Sequence, residues 1–146
     1  MKKVFILGAY FNTNENDTKA YPLLANIFKK YFKDIEVIVP TDIENYKENY
    51  KLNNPNIPDH LVDKAMVDFD LAQIKAADLL FADVTNKSTG VGIELGVAKE
   101  NNKNIVFCAK ANSKISNMVY GAFPNKEIHY YNEINDLENL ISKLEF

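Results

Sequence analysis

The stretch Ala77-Asp78-Leu79-Leu80-Phe81-Ala82-Asp83-Val84-Thr85-Asn86-Lys87-Ser88-Thr89-Gly90-Val91-Gly92-Ile93-Glu94-Leu95-Gly96 decides the fold. An unbroken apolar run enters a hydroxyl- and glycine-rich turn and leaves it as a helix. A strand apolar on both faces belongs to a parallel sheet covered by helices on each side. Ser88 or Thr89 can cap the helix. The free backbone N–H groups at its start form an anion site, and Gly90 and Gly92 let a ligand approach the backbone. The glycines do not make a dinucleotide fingerprint: Gly96 falls one residue late for G-x-G-x-x-G, and the turn follows a third strand rather than the first.

Working outward, short apolar runs at 4–9, 35–39, 78–84, 104–109 and 127–131 read as five strands, the first four apolar on both faces. Helical spacing marks 19–33, 58–77, 89–101 and 135–144, with a short helix over 113–120. Strands alternating with helices imply βαβ units. The reading is one α/β domain over 1–146, with a flavodoxin-like doubly wound five-stranded parallel sheet of order 2-1-3-4-5 and helices on both faces. Ligands in such sheets bind beyond the carboxyl ends of the strands. Those ends lead into loops 10–18, 85–90 and 110–117. The connection 40–57 is long for a compact link and reads as a binding lid.

Composition narrows the function. Of 146 residues, 47% are hydrophobic and 25% charged, and the net charge is −3. All 17 basic residues are lysine. This excludes a basic nucleic-acid footprint, a Lys-rich membrane patch and any arginine clamp on phosphate or carboxylate. The single cysteine, Cys108, lies in an apolar run and reads as core. It leaves no disulfide framework and no cysteine-based zinc site. His60 and His129 have no metal-ligand spacing. No apolar run approaches the ~18–20 residues of a membrane span. The opening Met1-Lys2-Lys3 with its short apolar run reads as a first strand of a cytoplasmic protein, not a signal peptide.

Two acidic positions carry candidate chemistry. Glu94 lies in the first turns of the glycine-rich helix, where the helix dipole favours its anion. It suits a nucleophile or a charge stabiliser, or serves helix electrostatics alone. Of Asp68 and Asp70, at most one points inward, and Asp63 shares a face with Asp70. A helix ending just before strand three can bring Asp70 to the rim where Glu94 begins. Two carboxylates about 5 Å apart suit retaining glycosyl transfer; a solvated acidic face is the plainer alternative.

The pattern Asp70-Leu71 … Ala77-Asp78 … Ala82-Asp83 … Ser88-Thr89-Gly90-Val91-Gly92-Ile93-Glu94-Leu95-Gly96-Val97-Ala98 resembles the nucleoside 2-deoxyribosyltransferase family, which includes the 2'-deoxynucleoside 5'-monophosphate N-hydrolases. The likeness extends to Lys103-Asn104-Ile105-Val106, Ser116-Asn117-Met118 and Phe5-Ile6-Leu7-Gly8-Ala9-Tyr10-Phe11. The resemblance implies a retaining double displacement in which Glu94 attacks the anomeric carbon and Asp70 protonates or holds the departing base. It implies no metal or organic cofactor, and a homo-oligomer with sites shared between subunits. The implied partners are a nucleoside or nucleotide and a free nucleobase. Gly8, Tyr10, Phe11, Asn45, Ser88, Gly90, Gly92, Ser116 and Asn117 are the implied substrate-binding residues. Tyr10 and Phe11 are candidates for packing on a nucleobase.

The two branches of the family differ at the sugar's 5' end. By the resemblance, transferases hold a 5'-hydroxyl with Asp and Asn where this chain has Ser88 and Ser116; monophosphate hydrolases have serine at both places. Other features lean towards the transferases. The hydrolases' arginine-containing loop after strand one is absent, and Val39-Pro40-Thr41-Asp42-Ile43-Glu44-Asn45-Tyr46-Lys47 resembles a transferase base-recognition loop. Asn45 is its base reader, or Glu44 in a shifted register. The expected main activity is transfer of deoxyribose between bases, with hydrolysis of 5'-monophosphates as the alternative. A non-catalytic nucleotide- or flavin-binding module is more distant. Two departures stand out: Phe5 replaces a tyrosine that orients the nucleophile in the family, and the chain closes in helical sequence where some transferases carry an extended tail.

Overall fold

The computed structural model describes the backbone of residues 1–8 and 15–146, and the side chains of 1–8 and 20–146. Five parallel strands, β1 (Lys2–Leu7), β2 (Ile35–Ile38), β3 (Leu79–Asp83), β4 (Ile105–Lys110) and β5 (Ile128–Tyr131), form one sheet in the order β2-β1-β3-β4-β5. Register pairs include Val4 with Leu79, Leu80 with Ile105 and Phe107 with Ile128. The sequence-derived order 2-1-3-4-5 is therefore the observed one.

The helices are α1 (Glu15–Tyr31), α2 (Pro40–Asn53), α3 (Asp59–Ala76), α4 (Thr89–Glu100), α5 (Asn117–Ala122) and α6 (Ile134–Ile141). Alternation along the central strands builds two cores. Phe5, Leu7, Leu80, Ala82 and Phe107 face α3 and α4, where Ile74, Val91, Leu95 and Ala98 meet them. Val4, Ile6, Leu79, Phe81 and Cys108 face α1 and α6, against Tyr21, Leu24, Phe28, Leu137 and Ile141. Phe81 meets Phe28 edge-on at 5.3 Å, a favoured aromatic geometry. Cys108 is core, as its apolar run implies.

Two expectations need correction. β2 is only half-buried over most of its length, because it is an edge strand, so full burial of both faces is confined to the inner strands. The connection 40–57 is largely a helix rather than an irregular lid. Pro40 opens α2, where its missing N–H costs nothing. The Asp42 carboxylate accepts the Val39 N–H at 2.9 Å, satisfying a backbone donor at the helix start. α2 lies along α3, tied by Lys47–Asp63 at 2.9 Å and Lys51–Asp59 at 3.1 Å. Tyr46 stacks flat on Phe69, with ring centroids 4.0 Å apart.

Short motifs fix the strand entries. Asn102 takes φ 50° after α4, and the Lys103 N–H reaches the Ala98 carbonyl at 3.0 Å. This Schellman-type stop turns the chain into β4. Asp34 also takes left-handed backbone, φ 54°, just before β2, and its carbonyl accepts the Lys2 N–H at 3.0 Å.

Candidate active site

α3 delivers Asp70 and α4 delivers Glu94 to one place beside the carboxyl ends of β1 and β3. Asp70 is the buried acid of its helix. Asp68 is exposed and paired with Lys64, and Asp63 is held by Lys47. Helical geometry therefore selects Asp70 alone from the acidic cluster. The Ser88 hydroxyl caps α4 by accepting the Val91 N–H at 3.3 Å, which aligns the first turns that carry Glu94.

The Asp70 and Glu94 carboxyls lie near enough for each to perturb the other. Burial, then the neighbouring Asp70, push the Glu94 carboxyl up to about 9. Burial also raises Asp70, and its interaction with Glu94 partly offsets this. Glu94 is thus the member that holds a proton at neutral pH. Asp70 Oδ1 and Glu94 Oε2 are buried and have no hydrogen-bond partner. Phe5 lines the same cavity and has no hydroxyl to offer. Such orphaned acceptors are costly in a folded chain and mark a place where a ligand supplies donors or an electrophile.

The cavity around the pair has a volume of about 360 Å³. Gly8, Ser88 and Gly90 line it, as does Glu44 of α2. Asn45, the first-choice base reader, is exposed and not among the lining residues, so the shifted register is the one that points inward. Gly8 is required sterically: a Cβ there would lie 2.0 Å from the hydroxyl oxygen of buried Tyr21. At Gly90 a Cβ would meet only the Ser88 Oγ, at an ordinary 3.7 Å, and at Gly92 open space, which fits room for a ligand or a second chain rather than a backbone need.

A second cleft of about 620 Å³ lies on the other side of the α4 start. Ser88 borders both spaces; Ser116, Gly92, Lys87 and Lys99 border this one. Ser116 caps α5, its hydroxyl accepting the Met118 N–H at 3.3 Å. Asn117 is exposed and lines neither space. Tyr10 and Phe11 lie outside the described residues.

Sequence reasoning missed a clamp at the end of β3. Asp83 is buried; its Oδ2 accepts the Tyr131 hydroxyl at 2.6 Å and its Oδ1 accepts the Thr85 N–H at 2.9 Å. The Thr85 hydroxyl in turn accepts the Lys110 N–H at 2.9 Å. This ties the ends of β3, β4 and β5 and sets the take-off of the loop to Ser88. The spacing Asp83-Val84-Thr85 is the available signal, an aspartate bonding the backbone two residues on. Among the described residues, no group of three or more acidic, histidine or cysteine side chains could hold a metal ion. No helix among them is long and apolar enough to cross a membrane.

A family model for nucleoside 2-deoxyribosyltransferases matches residues 4–137. The chain belongs to that family. A 5-hydroxymethyl-dUMP N-hydrolase of Danio rerio is 35% identical to this deoxyribosyltransferase-family chain over 85 residues. That match spans 56% of this chain and 59% of the relative. A 2-deoxyribosyltransferase of Bacillus psychrosaccharolyticus shares the fold with a TM-score of 0.65 at 19% identity, covering 94% of this chain and 90% of its own. A CMP N-glycosidase of Clostridium botulinum has a TM-score of 0.63 at 17% identity, covering 96% and 98%. A Leishmania mexicana 2-deoxyribosyltransferase has a TM-score of 0.58 at 16% identity, covering 98% and 99%. Both branches anticipated from the sequence are represented among these relatives.

Proposed function

We propose that this chain cleaves the N-glycosidic bond of 2'-deoxynucleosides, or of their 5'-monophosphates, through a deoxyribosyl–Glu94 intermediate, and passes the sugar to another base. The buried, mutually perturbed Asp70–Glu94 pair, with one oxygen of each left without a partner, carries the reading. The proton passes from Glu94 to Asp70 as substrate binds. The Glu94 carboxylate then attacks C1', the C1'–N bond breaks, and Asp70 gives its proton to the departing base nitrogen. An incoming base, or water, attacks C1' in the second step. The C1'–O bond to Glu94 breaks and Asp70 takes the proton back. A carboxylate nucleophile divides one hard displacement into two, and a carboxyl held neutral by burial is a competent acid.

Hydrolysis of a 5'-monophosphate is the second reading. It is favoured by the convergence of Ser88, Ser116, Lys87 and Lys99 on one cleft and by the N-hydrolase activity of the Danio rerio relative. The cavity with Asp70, Glu94 and Glu44 is acidic and repels phosphate, so a 5'-phosphate belongs in the neighbouring cleft. Lysines there act as point charges without arginine's bidentate fork. Incubation with deoxyinosine, deoxyguanosine monophosphate and free adenine separates the two. Deoxyadenosine signals transfer; free base with deoxyribose 5-phosphate signals hydrolysis. Full activity of Glu94→Ala would refute both.

We also propose a homo-oligomer. Ile93 and Met118 are 56% and 79% exposed beside the open cleft, and Gly92 and Gly96 on α4 present no side chains to keep a second copy away. Sedimentation of Ile93→Asp/Met118→Asp should show monomers where the unaltered chain assembles; an unchanged mass would overturn this.

A further inference from the structure

The cavity of the Asp70–Glu94 pair carries charge of one sign. Its titratable side chains are Glu44, Asp70 and Glu94, and no described lysine or histidine lines it. Lys87 and Lys99 border the neighbouring cleft instead, and Lys47 of α2 is paired with Asp63 at 2.9 Å. Asp70 is only 9% exposed, yet its Oδ1 has no hydrogen-bond partner, and neither has Glu94 Oε2. Phe5, Met66 and Leu71 add apolar wall. Buried carboxylate oxygens without donors call for a positive charge to offset them. Apolar walls around a volume of about 360 Å³ suit a planar ring.

A neutral base and a cationic base ask different things of such a site. When the C1'–N bond of a neutral base breaks, the electron pair leaves on the base, which needs a proton to depart. A base alkylated on a ring nitrogen is positive before the bond breaks. The same electron pair then cancels that charge, and the base leaves neutral with no proton supplied. While the bond stretches, the positive charge moves from the ring to the sugar, so it stays beside the same carboxylates throughout.

We propose that this cavity takes N-glycosides whose base is already a cation, such as N7-methylguanine deoxyribosides, and cleaves them without a proton from Asp70. The proposal rests on the N-glycosidic reading of the site and extends its substrate class. The incoming ring supplies positive charge, so the proton of the Asp70–Glu94 pair is released to solvent. The Glu94 carboxylate bonds to C1', the C1'–N9 bond breaks, and its electron pair returns to the ring. Water then attacks C1', the C1'–O bond to Glu94 breaks, and the water's proton passes to the Asp70 carboxylate and on to solvent.

The test compares 7-methyldeoxyguanosine with deoxyguanosine, each as nucleoside and as 5'-monophosphate, at pH 6, where the methylated ring keeps its charge. Base release in the first turnover is read with enzyme in excess, and Glu94→Ala serves as the blank for spontaneous loss. Asp70→Asn should slow release of guanine by about 100- to 10,000-fold, the loss of a general acid, and release of 7-methylguanine by no more than about 10-fold. A loss of the same size on both overturns the proposal. So does release of guanine with no release of 7-methylguanine above the blank. If neither base is released, the N-glycosidic reading itself fails and the proposal falls with it. Calorimetry on Glu94→Gln, which should bind without turnover, needs no Asp70 variant. There 7-methyldeoxyguanosine should bind at least about 10-fold tighter than 7-methyl-7-deazadeoxyguanosine, which has the same shape and no charge; equal affinities overturn the proposal.

Discussion

Replacing Glu94 with glutamine should abolish a pH dependence of stability that the unaltered chain carries. In the folded chain the Asp70–Glu94 pair keeps one proton until about pH 9. In the unfolded chain both carboxyls ionise near their ordinary values, 3.8 and 4.5. Between those limits the folded state holds one more proton than the unfolded state. Stability is therefore fully present below the unfolded values and is lost as pH rises towards the folded one. The slope is one proton's worth, about 1.4 kcal/mol per pH unit. From pH 6 to pH 8 the unaltered chain should lose about 2–3 kcal/mol from this source, a large share of a typical domain's stability of about 5–15 kcal/mol. The glutamine amide has no proton to lose, and its N–H can satisfy Asp70. Urea unfolding of both chains at pH 6, 7 and 8, at fixed ionic strength, measures the effect. With a urea slope of about 2 kcal/mol per M, the midpoints should diverge by about 1–1.5 M across that range. Parallel curves would refute the shared proton. The variant should also be inactive, so stability gained at high pH and activity lost identify one group as the source of both.

Catalysis should follow a bell-shaped pH profile, because the singly protonated pair is the working form: activity falls on the alkaline side near pH 9 as the last proton leaves, and Glu94→Asp should move that limb. Gly8→Ala should cost about 1–3 kcal/mol, since its Cβ meets Tyr21 where that ring is 4% exposed and has nowhere to go. A thermal melt should fall by about 3–10 °C, and Tyr21→Leu in the same chain should restore most of it. Tyr131→Phe leaves the buried Asp83 Oδ2 without its partner and should destabilise by about 1–3 kcal/mol in urea; Tyr130→Phe, on an exposed ring, should change stability little and serves as the control.

The sheet was legible because its signal is local. Val4 to Leu7, Leu79 to Asp83 and Ile105 to Ala109 are apolar runs bounded by polar residues, and the alternation of strand and helix leaves few possible orders. α2 was not legible by periodicity. Its one buried apolar residue is Ile43, its tyrosines pack sideways on α3, and a helix without an apolar stripe reads as a loop. Pro40 with Asp42 two residues on was the overlooked start signal. The resemblance names Asp70, but spacing alone does not separate it from Asp68 and Asp63, because it lists faces and does not say which face meets α4; packing does. The approach of Asp70 and Glu94 is likewise a tertiary fact. So is the inward turn of Glu44 rather than Asn45, a matter of helix phase that no reading of that segment as a loop could supply.

Ser88 borders both the cavity that holds Glu94 and the cleft that holds Ser116, and its hydroxyl fixes the helix turn that leads to Glu94. With Glu94 as the nucleophile, as proposed, a group at the sugar's 5' end that engaged Ser88 would press on the turn that aims it, less than two helical turns away. On that reading, attraction at the unreactive end of the substrate would be converted into alignment at the anomeric carbon, the way remote contacts raise turnover rather than affinity alone. Trimming the 5' end should then slow the chemical step itself, so the chain measures the length of its substrate through the start of a single helix.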